Sequence, residues 1–240
     1  MLFNNDDRGT IIPVQSGSCQ REKSKQVKND KRKQQHDCRC KNILDIGTGT
    51  GIIALMLAQR CFANIDAIDI DTDAYSQAKE NVAASPFAER INVIHASCSE
   101  YTGSFTREKY DLIVSNPPYF INSLKCPDNK RSVARHTDSL SLSELIDDSC
   151  SLLSLSGRIA LVLPYEQLGE IEMIARKNHL SICRQTDVIP VPGAQPKRLL
   201  IELSVPPTDI KNRNTLIIEE ARHQYTPEYI ALTKDFYLKM

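Results

Sequence analysis

From Asn42 onward the chain alternates short apolar runs with longer amphipathic stretches, and no other feature of the 240 residues narrows the fold as much. Two parallel strands cannot be joined by a tight turn; the chain must cross back over the sheet, and a helix is the usual crossover. "NILDIG" reads as a first strand, "GIIALMLAQR" as the helix behind it and "NIDAIDI" as a second strand. "DTDAYSQAKENVAAS" follows as an amphipathic helix, with Asp71 or Thr72 available as N-cap and acids in its first turn. "INVIHA" and "YDLIVSN" make strands three and four, "SLSELIDDSCSLLS" a helix, and "GRIALVLP" a fifth strand that Pro164 closes. After a further helix, "EQLGEIEMIARKN", the runs "LSICRQTDVIPV" and "KRLLIELSV" bracket the turn-rich "PGAQP", which predicts an antiparallel pair. "TLIIEE" ends the series as a short strand, and "TPEYIALTKDFYLK" as a helix with Pro227 near its first turn. The expected fold is α/β: a doubly wound, seven-stranded, mostly parallel sheet with an antiparallel edge, flanked by helices.

A chain that is 41 % hydrophobic can bury such a core. No apolar run nears the roughly 18 residues that span a bilayer, and "MLFNNDDRGT" has no apolar signal core; a cytoplasmic, soluble protein without membrane contact is expected. Eight cysteines without a C-x-x-C pair read as free thiols in a reducing compartment. Cys38 and Cys40, near His36, lack a second ligand pair, so no metal is expected. Charges balance at 30 against 30, yet residues 20–41 hold nine Lys/Arg against three acids. So basic and apolar-poor a stretch cannot pack a core, which sets residues 1–41 apart as a disordered tail and 42–240 as the folded domain. Two readings of the tail stay open: attraction to phosphates, which salt screens, and a solvated linker.

Chemistry enters at the strand ends. "LDIGTGTG" joins strand one to helix one, where glycines let backbone approach a ligand and the helix N-terminus faces it. The glycines at 47, 49 and 51 follow G-x-G-x-G, whereas a dinucleotide loop prefers G-x-G-x-x-G. By itself such a loop can also be a plain turn. "AIDID" puts Asp69 and Asp71 at the end of strand two, the edge where open α/β sheets bind ligands. An ionised carboxylate is acceptor-only, with two oxygens, which suits Asp69 to a vicinal diol; Asp71 suits the helix cap. "SNPPYF" ends strand four, beside strand one in the doubly wound order, so Asn116 is expected in the same crevice as the glycines.

An amine conjugated to a ring or a carbonyl is a poor nucleophile because its lone pair is delocalised. Two acceptors aimed at its N–H protons, the Asn116 side-chain carbonyl and the Pro117 main-chain carbonyl, would draw the nitrogen toward tetrahedral geometry. Pro118 restricts the backbone of Pro117 and so aims that carbonyl. Tyr119, with Phe120, offers a face on which a planar base stacks, worth about 1–3 kcal/mol per base. Positioning is then the main catalytic device, with no strong general base. The plain alternative is that Asn-Pro starts a turn.

"LDIGTGTG" with "NPPY" resembles the class I methyltransferases, Rossmann-like enzymes that modify amino groups of adenine or of glutamine. "ILDIGTGTGIIALMLAQR", "INVIHA", "SNPPYF", "ARHTDSLSLSELI" and "YTPEYIALTKDFYLKM" narrow the resemblance to the bacterial tRNA1(Val) adenine N6-methyltransferases, over nearly all of 42–240. The resemblance implies S-adenosylmethionine as donor, tRNA as partner and an adenine beside the anticodon as acceptor; a monomer is expected. It assigns the donor loop to Asp45, Gly47, Thr48, Gly49 and Gly51, the ribose ligand to Asp69, and the catalytic tetrad to Asn116, Pro117, Pro118 and Tyr119, with Asn116 also facing the donor. Arg135 and His136 match a family pair read as RNA contacts or loop ordering, surface decoration being equally open, and Lys125, Lys130 and Arg131 could meet phosphates.

Two departures stand out. Where the family usually has an acid for the donor's adenine amine, "IHASCSE" offers Ser97 and Cys98; a hydroxyl still accepts a hydrogen bond, more weakly than a charged group. Where the family carries a Gly-Thr-Asp-Gly segment upstream, this chain has "KSKQVKNDKRKQQHDCRC". Two rival readings follow. One is a protein glutamine N5-methyltransferase, although such enzymes resemble a helical recognition domain followed by a catalytic one, and 41 mostly polar residues precede the first strand here. The other is a non-catalytic RNA-binding relic that keeps the fold without tight donor binding.

Overall fold

The computed structural model describes residues 40–104, 109–117, 140–205 and 212–237. Its elements in chain order are β1 (Asn42–Ile46), α1 (Ile52–Arg60), β2 (Asn64–Asp69), α2 (Thr72–Ala83), β3 (Ile91–His95), α3 (Cys98–Ser104), β4 (Tyr110–Ser115), α4 (Leu142–Leu152) and β5 (Leu153–Pro164). They continue with α5 (Leu168–Lys177), β6 (Ser181–Ile189), β7 (Arg198–Ser204), β8 (Asn212–Ile217), β9 (Glu219–Ala221), β10 (Gln224–Tyr225) and α6 (Pro227–Thr233). β1 is the hub: Ile43, Leu44, Asp45 and Ile46 are all buried, as fits a strand covered on both faces. It pairs in parallel with β2 on one side and β4 on the other. The full order is β3-β2-β1-β4-β5-β7-β6-β8, with β9 and β10 forming a separate small hairpin.

The doubly wound, mostly parallel sheet expected from the alternation is present, with two differences of detail. The sheet has eight strands, because β8 adds in parallel to β6. The antiparallel strand is β7, and it lies inside the sheet between β5 and β6. Only residues 190–197 separate β6 from β7, too few for a crossover, so the chain reverses and β7 fills the gap. "TLIIEE" divides at the bend of Ile218: its first half ends β8 and its second half opens β9.

Helices cover both faces. On one side Leu145, Ile146 and Ile171, from α4 and α5, pack on Leu44, Ile113, Ile159, Leu161, Leu163 and Leu199. Full burial of each such side chain contributes about 1.5–3 kcal/mol. On the other side Ala54 and Ala58 of α1 and Val82 of α2 meet Ile43, Ile65, Ala67, Leu112 and Val114. The helix starts follow local capping chemistry. Asp71 accepts from the amides of Asp73 and Ala74, resolving the choice between it and Thr72. Ser141 and Glu144 form a capping box on α4, and Thr226 caps α6 ahead of Pro227.

The antiparallel part of the sheet buries charge. Glu202 meets Arg184 at 3.1 Å, both side chains at most 6 % exposed, and Arg158 at 3.7 Å. Asp187 accepts from Gln185 at 2.7 Å and from Arg213 at 3.1 Å. Removing one partner from such a buried pair strands the other's charge. Glu202→Ala is therefore expected to cost about 3–5 kcal/mol in urea denaturation, and Arg184→Met with Glu202→Leu to recover most of that loss. An unchanged midpoint in the single variant would show that the pair adds nothing.

Candidate functional site

The loop 47–51 turns because three glycines take positive φ, at 67°, 58° and 79° for Gly47, Gly49 and Gly51. Side chains there would be strained. A Cβ added at Gly47 or Gly49 would meet nothing within 4 Å, so the loop presents bare backbone to open space, while one at Gly51 would touch Ala78 at 3.4 Å. The loop is tied down from three directions. The Ile68 carbonyl at the end of β2 accepts from the amides of Gly47 and Thr48, at 2.9 and 3.0 Å. Asp69 accepts from the Gly49 amide at 2.8 Å, and the Asn81 side chain of α2 donates to the Thr50 carbonyl at 2.9 Å. Gly51 is the N-cap of α1, which no side chain caps, and in the first turn the Ala54 amide donates to the Asp45 carboxylate.

Asp69 carries more than the ribose role expected of it. Its second oxygen accepts from the Asp71 amide at 2.9 Å, so the one carboxylate anchors both the glycine loop and the entry to α2. Each oxygen keeps a second lone pair, enough for one hydroxyl each. Asp45 sits beneath the loop with no exposed surface. Thr48 donates its hydroxyl to Asp45 Oδ2 at 2.6 Å, while Oδ1 has no hydrogen-bond partner. Burial pushes this carboxyl up to about 6, the Thr48 hydrogen bond acting against the rise and the charge of Asp69 adding to it. A ligand with a diol at one end and a hydrogen-bond donor or cation at the other suits this pair of acids.

The fourth strand arrives beside the loop by register. Ser115 pairs with Ile46, so Asn116 and Gly47 are the next residues on adjacent strands, and Ser115 Oγ donates to the Ile46 carbonyl at 2.8 Å. Asn116 is exposed and Pro117 half-buried at that edge. Pro118, Tyr119, Phe120, Lys125, Lys130, Arg131, Arg135 and His136 lie outside the described residues, as do His36 and Cys38 of the basic tail. The described cysteines, Cys40, Cys61, Cys98, Cys150 and Cys183, form no disulfide with one another.

Ser97 has a structural partner. It caps α3: its hydroxyl donates to Glu100 at 2.7 Å and accepts from the Glu100 amide at 3.2 Å, and the Ser99 hydroxyl lies 3.4 Å from the same oxygen. Helix α3 is absent from the sequence expectations, although "SCSE" carries the S-x-x-E capping signature that announces it. Ser115, Asn81 and the second role of Asp69 also escaped, since each acts across 20 to 69 residues of chain. On the same rim Tyr75 stacks on His95, whose Nε2 lies 2.9 Å from the Ile70 carbonyl. At the opposite edge of the sheet a polar cavity of about 650 Å³ is lined by Asp66, Arg90, Asn92 and Tyr110. Two of its charged groups are already employed: Asp66 by Asn92, Tyr101 and Tyr110, and Arg90 by the carbonyls of Ala58, Cys61 and Ala63.

A family model described as methyltransferase small domain matches residues 32–182. The tRNA1(Val) (adenine(37)-N6)-methyltransferase of Parabacteroides distasonis is 59 % identical over 202 residues, which are 84 % of this chain and 85 % of that relative. The protein of the same name from Trichodesmium erythraeum is 46 % identical over 200 residues, 82 % of this chain and 83 % of the relative. Among solved structures, a predicted O-methyltransferase of Agrobacterium tumefaciens, Atu636, has a TM-score of 0.65 at 18 % identity over 80 % of this chain and 88 % of that one, a likeness of fold. No helix among the described residues is long and apolar enough to cross a membrane. By the span of the family model and the identity to these relatives, the chain belongs to the tRNA1(Val) (adenine(37)-N6)-methyltransferase family of small-domain methyltransferases.

Proposed function

We propose that this protein transfers a methyl group from S-adenosylmethionine to the N6 amine of an adenine in tRNA, beside the anticodon of tRNA1(Val). The observation that carries the reading is the register of β1 and β4, which sets Asn116 next to Gly47 and so joins an amine-directed strand end to a donor loop. The names of the relatives favour adenine over a protein glutamine, and the tied-down glycine loop favours an enzyme over a binding relic.

The donor supplies an electrophilic methyl on a sulfonium. In this reading Asp69 accepts from the ribose hydroxyls, and the bare backbone at Gly47 and Gly49 lets the donor lie close to the sheet. Asp45 answers the donor's positive charge from below, and its unpartnered Oδ1 is the acceptor that such a group would satisfy, directly or through water. The Asn116 side-chain carbonyl and the Pro117 main-chain carbonyl accept the two N–H protons of the adenine amine, localising its lone pair, while Pro118 restrains Pro117 and Tyr119 and Phe120 stack the base. Ser97, with the long 3.4 Å contact from the Ser99 hydroxyl giving way, is the acceptor for the donor's adenine amine. Arg135 and His136 serve the RNA side.

Three outcomes are expected. S-adenosylhomocysteine at about a hundredfold excess over Kd should stabilise the fold by about 2.7 kcal/mol, a rise in melting temperature of roughly 5–10 °C. Asp69→Ala should weaken that binding at least about tenfold through the lost charge-assisted hydrogen bonds. No shift with the unaltered protein would remove the donor assignment. With unmodified tRNA and nucleoside mass spectrometry, N6-methyladenosine should appear, and Asn116→Ala should lower kcat about a hundredfold or more with the melting temperature unchanged. Methyl groups on a protein glutamine instead would sink the adenine reading.

The third outcome concerns pH. The raised Asp45 value means that the folded state binds its proton more tightly than the unfolded chain. The stability this proton confers is complete below about pH 4 and is lost as pH rises through about 6. Asp45→Asn stays neutral, so its stability advantage over the unaltered protein should open between pH 4 and 6 and level off above, at no more than about 3 kcal/mol. Denaturation curves of both proteins from pH 4.5 to 8 measure the gap, and a gap that stays constant with pH would exclude titration of Asp45 in that range.

A further inference from the structure

We propose that Lys197 and Arg198, at the end of the turn between β6 and β7, form a docking site for the sugar–phosphate backbone of the tRNA next to the target base; this rests on the tRNA reading above. The sheet topology brings them to the right edge. Because β7 is antiparallel, its first residues reach the edge where β4 and β5 end: Arg198 pairs with Pro164, and Leu161 of the same β5 pairs with Ser115. The cations thus lie three residues further out and two strands across from the end of β4. At about 3.3 Å per residue and 4.8 Å per strand, that is roughly 14 Å from Ser115. This separation suits nucleotides flanking a base held at Asn116 and keeps the cations out of the transfer itself.

The turn is built to hold them still. Pro190, Pro192 and Pro196 restrict the backbone, and Gly193 takes φ 81° where the chain reverses. The Lys197 amide donates to the Val188 carbonyl at 2.9 Å, and the Lys197 carbonyl accepts from Arg198 Nη1 at 3.0 Å and from the Tyr165 amide at 3.4 Å. The Pro190 carbonyl accepts from the Glu219 amide at 3.0 Å. A loop so anchored loses little freedom on binding. Both side chains are exposed, and no Asp or Glu occurs between Asp187 and Glu202. Lys197 has no ion-pair partner among the described residues, in contrast to Arg60, Arg158, Lys177, Arg184 and Arg213, which are each matched to an acid. Two exposed cations on a stiff turn complement a polyanion, and phosphate contacts position a nucleic acid without reading its sequence.

The test is steady-state methylation of tRNA by the full chain carrying Lys197→Gln and Arg198→Gln, over a range of salt. The KM for tRNA should rise about tenfold near physiological salt, with kcat at saturating tRNA within about twofold of the unaltered protein. The slope of log kcat/KM against log salt should become shallower by about 1.4–1.8, the value for two lost phosphate contacts. The shift in melting temperature with S-adenosylhomocysteine should not change. Arg176→Gln, which removes an exposed charge from α5 near the other edge of the sheet, should leave KM and slope alone. An unaltered KM and slope in the double variant would overturn the proposal. Should that variant be less stable, Lys197→Gln alone, whose native contacts are made by backbone, should show a slope change of about 0.7–0.9, and its absence would overturn the proposal equally. Failure of the unaltered protein to methylate any tRNA would overturn the functional reading itself, and this inference with it.

Discussion

The Ile68 carbonyl accepts two amides, those of Gly47 and Thr48, and the geometry of the whole site depends on that shared acceptor. It stops β1 one residue past Ile46 and bends the chain over the end of β2, where Asp69 takes up the next available amide at Gly49. Positive φ at three glycines makes the bend possible without strain, and the hydrogen bonds from β2 decide where it points. Asp69 then holds the loop and the start of α2 with one side chain, so the glycine loop and the second helix are coupled through it. The site is organised before any ligand arrives, which lowers the ordering cost of binding.

The sheet divides its labour along its width. On the parallel side, β1, β2 and β4 bring their carboxyl ends to one edge, and the loops that follow them hold the candidate site residues. Burial beneath that edge costs something: Asp45 is held as a buried acid with one oxygen lacking a partner. A group of that kind is destabilising unless a ligand or water answers it, and functional sites are where such groups are retained. On the antiparallel side, β5, β6, β7 and β8 bury Glu202 with Arg184 and hold Asp187 against the exposed Arg213, and these pairs serve shape more than chemistry. The turn that makes β7 antiparallel also sets Lys197 and Arg198 on that same edge.

Most of the element list is legible in the chain because it rests on local periodicity. Continuous apolar runs such as "NILDI" and "YDLIVS" could only be central strands, and the caps at Asp71, Ser141 and Thr226 follow from short side chains next to helical patterns. α3 was missed because seven residues carry too little periodicity to register, even though its capping box is written in "SCSE". The eighth strand was undercounted because "TLIIEE" looks continuous, whereas Ile218 bends and sends its two halves to different sheets. The glycine loop, Asp69 and Asn116 were each readable as candidates from residue type and place in the pattern. The clamps that set them, Ser115 to Ile46 and Asn81 to Thr50, were not, because a serine or asparagine gives no sign in sequence of which distant carbonyl it will reach.

The amino-acid sequence by itself determined which segments are strands and helices, where the backbone must turn through positive φ, and which side chains are candidates for the chemistry of an amine-directed methyl transfer. These are properties of a few neighbouring residues. Only the tertiary structure decided that Gly47 and Asn116, 69 residues apart, stand side by side, that β7 reverses inside the sheet, and that Asp69 binds the loop it faces. Strand order and register are choices among distant hydrogen-bonding partners, and they are made by burying both faces of β1 at once, which no local stretch of the chain can do alone.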